Sequence, residues 1–121
     1  MTLRECYSRL DGNYEETLGR LQSERLIQKF VCKFLDDPSY TQLMEALAGK
    51  DRERLFRAAH TLKGVCQNLG FDRLFRSSSL LCEAVRNDWK PETPALAEQV
   101  SADYAQTASA IRDYQESAAN A

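Results

Sequence analysis

No segment of this sequence alternates apolar and polar residues with period two under β-branched enrichment, so nothing in it reads as a strand. Its five glycines, at 12, 19, 49, 64 and 70, include no Gly-x-Gly pair and no Gly-Lys-Ser/Thr ending. That excludes a P-loop and a kinase glycine loop, and with them autonomous use of ATP. No apolar run is long enough to span a bilayer, and the first residues, with Arg4, Glu5 and Asp11, lack the apolar region of a signal peptide. A cytoplasmic chain is expected. A formal net charge of −2 leaves no cationic excess to draw nucleic acid or an anionic membrane, so neither is expected as a partner. Cys6, Cys32, Cys66 and Cys82 stand far apart without a Cys-x-x-Cys, and there is one histidine. Four reduced thiols, mostly filling the core, are expected, and no metal site. A thiol enzyme would need one of the four to have a depressed pKa. The histidine has no evident Ser or Cys partner and no oxyanion arrangement, which leaves nucleophilic hydrolysis without support.

What is there is helical periodicity. At 121 residues, 43% hydrophobic and 28% charged, the chain suits one domain with a single core, without internal repeats or low-complexity linkers. Thr2 and Glu5 have the capping-box spacing for a short first helix, which Asp11-Gly12-Asn13 breaks. Tyr14 to Leu21 is a second piece. Ser23 caps a stronger helix through Ile27, Phe30, Val31, Phe34 and Leu35, ended by Asp36-Asp37-Pro38. Ser39 is the expected cap of the next, with Tyr40, Leu43, Met44 and Leu47 at helical spacing and Gly49 as its stop. Asp51 then caps a helix of about five turns that runs to Gly70.

After Gly70, a stripe of Leu74, Ser78, Leu81, Val85 and Trp89 predicts an antiparallel neighbour, in which Ser77, Ser78 and Ser79 permit close packing and Ser77 or Ser79 faces solvent. Lys90 to Pro94 forms a loop, with Thr93 as cap and Pro94 as first helical residue of a long last helix through Leu96, Val100, Tyr104, Thr107, Ile111 and Tyr114. From Glu116 the chain is expected to fray. The expected fold is all-α, an antiparallel four-helix bundle with additional short N-terminal helices: one domain over 1–121, with 1–22 as a helical cover, 23–117 as the bundle and 118–121 as a frayed tail.

The segment around the histidine carries the chemistry. On a helical wheel centred on Leu62, the residues Leu55, Ala58, Ala59, Val65, Cys66 and Leu69 lie within roughly 60°. His60 falls at roughly 160°, Gln67 at roughly 140°, Lys63 at roughly 100° and Gly64 at roughly 200°, on the polar side. Gly64 sits mid-helix, where it costs about 1 kcal/mol relative to alanine. Because Cα–Cβ bonds tilt toward the helix N-terminus, a side chain at 64 is expected to lean over the His60 ring. An open imidazole, a cation on a long stem at i+3 and a cleared approach suit a phosphoryl group. Nitrogen attack needs a neutral ring, the form an ordinary imidazole takes above about pH 6.5, and a lysine stabilises the charge on the equatorial oxygens. Phe56, one turn before His60, either tucks against a neighbouring helix or offers an apolar anchor to a partner. Arg52, Arg54 and Arg57 are either a steering patch or a solvated helix face.

The run His60-x-Leu62-Lys63-Gly64-x-x-x-x-Leu69-Gly70 resembles the signature of histidine-containing phosphotransfer (HPt) domains of two-component signalling. The resemblance implies that His60 accepts a phosphoryl group from a receiver-domain aspartyl phosphate and passes it on, that Lys63 stabilises that group, that Gly64 keeps the approach clear and that Gln67 is a polar contact. It implies receiver domains and a hybrid histidine kinase as partners, for which Phe56 and Arg57 are the candidate contacts on this chain, and a divalent metal on the receiver, so that this chain needs no cofactor of its own. A monomeric phosphoryl carrier, not an enzyme, is the expectation; a helical adaptor that docks on the same partners without being phosphorylated is the alternative. The family often carries Gln or Glu on the second hairpin helix near the histidine. Counting from Gly70, that place is taken by Cys82, with Glu83 beside it.

Overall fold

The computed structural model describes residues 1–120, which form seven α-helices with no strand among them. They are Leu3–Arg9 (α1), Tyr14–Leu21 (α2), Glu24–Phe34 (α3), Ser39–Ala48 (α4), Arg52–Leu69 (α5), Asp72–Ala84 (α6) and Thr93–Ala119 (α7). Successive packing of α4, α5, α6 and α7, with α7 returning against α4, makes the antiparallel four-helix bundle. Against it, α3 packs on α5 and α7, α1 on α7, and α2 on α3.

Capping sets most of the boundaries. The Thr2 hydroxyl accepts from the Glu5 N–H while the Glu5 carboxylate accepts from the Thr2 N–H, closing the expected capping box. Asn13, Ser23 and Asp51 accept from the N–H three residues on, each such cap contributing about 1 kcal/mol. The stripe Leu55, Ala58, Ala59, Leu62, Cys66 and Leu69 is buried as its spacing predicts, and joins one core cluster with residues of the other six helices. All four cysteines are free thiols, with Cys6, Cys66 and Cys82 buried.

Several boundaries differ from expectation, each for a local reason. Ser39 is not a cap: it is the buried first residue of α4, and Pro38, already in right-handed helical conformation, takes the cap position. The Asp37 carboxylate accepts the Ser39 N–H from outside the helix. Thr93 likewise lies inside α7, with Glu92 as the cap residue; its hydroxyl turns back to accept the Lys90 N–H and closes the loop. Helix α4 stops at Gly49, but the left-handed residue is Lys50, at φ 51°. Trp89 does not extend the α6 stripe, because α6 ends at Ala84, where Lys90 Nζ and, one residue on, Arg52 take the terminal carbonyls. Ser77 does not face solvent: it is buried, and both Ser77 and Ser78 donate back to the Leu74 carbonyl. Helix α7 does not stop at Glu116. The alanine-rich end keeps helical conformation to Ala119, and the Met1 ammonium donates to Ser117 Oγ at 2.5 Å. Ala121, part of the expected tail, lies outside the described residues.

Candidate functional site

Half-way along α5, the buried stripe leaves the opposite face to solvent. His60, Gly64 and Gln67 are exposed and Lys63 is half-buried. No hydrogen bond to the His60 ring exists among the described residues, and the imidazole leans on Phe56, with ring centroids 5.9 Å apart and planes tilted by 39°. Phe56 is half-buried against the core, as the first of the two readings weighed for it expects, and its ring also stands under the histidine from the preceding turn. The Arg86 guanidinium, 5.3 Å from the Phe56 centroid, brings a cation from just past the end of α6 to the same place. No spacing rule connects residues 56 and 86. Only the packing of α6 on α5 does.

Lys63 enters no ion pair among the described residues, whereas Arg57 is tied to Glu53 at 2.9 Å and Arg86 to Glu83 at 3.1 Å. Both pairs are exposed, and such pairs contribute about 0–1 kcal/mol, so a partner's anion can displace them. Arg57 lines an open polar groove between α4 and α5 with Gln42, Arg54, Ala58 and Thr61. The arginine patch is divided by the fold: Arg52 leaves it, donating to the Val85 and Arg86 carbonyls at 2.8 Å each and capping the end of α6.

Gly64 has an ordinary backbone conformation, and a Cβ built on it would meet nothing within 4 Å. The expectation that any side chain there would crowd the ring is thereby narrowed. A methyl group reaches no atom of the imidazole, and only a longer side chain could. Nothing inside the protein therefore requires glycine at this position.

The second-helix positions separate. Cys82 is buried in the core, while Glu83 is exposed and held by Arg86. Burial pushes the Cys82 thiol up from its ordinary range, against the opposing pull of Lys63 and Arg86. Burial likewise lifts Cys6 to about 11 and raises Cys66 further. A thiol nucleophile needs the opposite shift. Among the described residues no three His, Cys, Asp or Glu side chains come together in a way that could hold a metal ion, and no helix is long and apolar enough to cross a membrane.

The helical bundle thus holds one solvent-facing imidazole on a central helix, with a bare glycine one turn on and a lysine beside it. The model of the Hpt domain family matches residues 37–110, more than half of the chain, and the chain belongs to that family. No curated protein and no solved structure matches it. Membership gives it a phosphotransfer-related role in two-component signalling, in a family of phosphocarriers that interact with receiver or kinase domains.

Proposed function

We propose that this chain is a phosphorelay carrier that moves a phosphoryl group between receiver-domain aspartates, with His60 as acceptor and donor. The observation that supports this most directly is the His60 ring itself, solvent-facing and without a hydrogen bond, on a helix face that bears Lys63 and the bare Gly64. The unprotonated ring nitrogen attacks phosphorus as the P–O bond to the aspartyl carboxylate breaks. An N–P bond forms, the carboxylate leaves with the bond's electron pair, and the proton on the other ring nitrogen is lost to solvent. Lys63 stabilises the equatorial oxygens during transfer, and Gln67 supplies a polar contact farther along the same face. The divalent ion that such a transfer uses belongs to the receiver. Phe56 and Arg57 border the docking surface for receiver domains and a hybrid kinase, and the chain works as a cytoplasmic monomer without kinase activity of its own. Residues 1–22 act as a cover on the bundle.

The test is to incubate the protein with a panel of receiver domains charged by acetyl phosphate and to look by mass spectrometry for acid-labile phosphate on His60. Labelling of wild type, lost in His60→Gln while receiver binding persists, is the expected result. Receivers that bind wild type tightly yet never label it would overturn the carrier reading and favour the unphosphorylated adaptor, for which His60→Gln would keep both binding and signalling.

A further inference from the structure

The family match begins at residue 37, so α1 and α2 lie outside it, yet both are bonded to the end of the histidine helix. Asn13 N–H donates to the Gly70 carbonyl at 2.8 Å, and the Tyr7 and Thr17 hydroxyls donate to the Leu69 carbonyl at 2.7 and 3.1 Å. Those bonds satisfy carbonyls that helix termination and the turn after it leave open. Arg20 goes further. Its Nη2 donates to the Gln67 and Asn68 carbonyls at 3.1 and 2.6 Å, and its Nη1 donates to Glu16 at 3.1 Å. A guanidinium has five N–H donors, so Nε and the second Nη1 hydrogen remain. Its side chain is 39% exposed, on the wall of an open depression that it shares with Gly64, Gln67 and Asn68. A cation is thus anchored by its own bonds beside the face that carries His60.

We propose that Arg20 extends the docking surface of the histidine face onto α2 and selects receiver domains that present a carboxylate opposite it. The inference rests on the carrier reading and identifies what that reading leaves open, the feature by which a receiver is chosen. Docking exchanges the Glu16 carboxylate for the partner's, and the exposed Arg20–Glu16 pair is weak enough to allow this. The anchoring bonds to Gln67 and Asn68 hold the guanidinium in place throughout, so little side-chain freedom is lost on binding.

The experiment measures transfer to His60 in the full chain from two donors: a charged receiver domain, which must dock, and phosphoramidate, which does not. Arg20→Met is expected to raise KM for the receiver about fivefold with kcat within about twofold, leaving phosphoramidate labelling unchanged. Glu16→Gln leaves the carbonyl bonds of Arg20 in place, frees its cation, and is expected to lower the receiver KM about twofold. An unchanged receiver KM in both variants overturns the proposal and leaves Arg20 as a helix cap. If Arg20→Met also impairs phosphoramidate labelling, the helix end has shifted, and Glu16→Gln alone decides: a lower KM supports the docking role, an unchanged one refutes it. Labelling of wild type by neither donor would sink the carrier reading itself and the docking inference with it.

Discussion

Gly64 lies within α5 and Gly70 ends it, and their surroundings are opposite. Gly70 has φ +71°, and a Cβ there would lie 2.1 Å from Thr17 Oγ1 and 3.0 Å from the Asn13 carbonyl oxygen. Both residues belong to the contact between α5 and the N-terminal helices, where Tyr7, Asn13, Thr17 and Arg20 take the terminal carbonyls. Gly64 has an ordinary φ and open space where its side chain would be. The fold thus demands one glycine and merely tolerates the other at a cost in helix stability. A residue that the inside of a protein does not explain directs attention to what approaches from outside, and on this face what approaches reaches His60.

The sharpest way to break the comparison is at its internal end. Gly70→Ala combines a left-handed backbone with a collision against Thr17, and unfolding in urea should show a loss of about 3 kcal/mol. Because Gly70 lies away from the exposed face, the molecules that remain folded should accept phosphate at His60 from phosphoramidate at the wild-type rate. A stability change below about 1 kcal/mol would mean that the α1–α2 turn can give way, and Gly70 would then be no more constrained than Gly64.

A smaller effect of the opposite kind belongs to the exposed end. Lys63→Ala removes a cation that has no ion pair among the described residues, so it should leave stability within about 0.5 kcal/mol of wild type. Transfer from a charged receiver should nevertheless slow by about tenfold, read as kcat with little change in KM, since the ammonium acts on charge that develops in transit. A rate unchanged in Lys63→Ala would reduce this residue to a solvated side chain and leave Arg57 and Arg86 as the cations to test next.

The two ends also differ in how legible they were. The face bearing His60, Lys63, Gly64 and Gln67 follows from helical spacing within a single element, as does the buried stripe from Leu55 to Leu69, so both could be read without knowing the neighbours. Caps that act within their own turn, at Thr2, Ser23 and Asp51, were legible for the same reason. Ser39 and Thr93 misled because each stands beside a proline that accepts helical geometry, which shifts the start by a residue. The bonds that cap α5 and α6 are a different matter. Arg20 reaches Gln67 and Asn68, and Arg52 reaches Val85 and Arg86, through long side chains to backbone carbonyls on other helices. An arginine on a helix surface bears no mark of which carbonyl it will find. The contact of Arg86 with Phe56 was hidden likewise, although the Glu83–Arg86 spacing that orients it is visible in the sequence.

The smallest change gives the most discriminating test, because its two readouts move in opposite directions. Gly64→Ala adds one methyl group to an exposed helix interior where no atom of this chain lies within 4 Å of it. Helix propensity then predicts a gain of about 1 kcal/mol in unfolding free energy. Phosphoramidate, small enough to reach the ring past a methyl group, should label His60 at an unchanged rate. A receiver domain must bring its own surface against the helix to place phosphorus within bonding distance of the ring nitrogen, and there the methyl stands in the way. Receiver-driven transfer is expected to fall about threefold in a protein that is more stable than wild type, since displacing the reacting atoms by a fraction of an ångström is costly in rate. If Gly64→Ala gains stability and transfers at full speed, the bare turn is not there for the receiver's backbone, and steric access would need to be sought in longer side chains at 64. If it gains no stability, the helix around His60 is already strained or mobile, and Gly64 would answer to an internal demand after all, as Gly70 does.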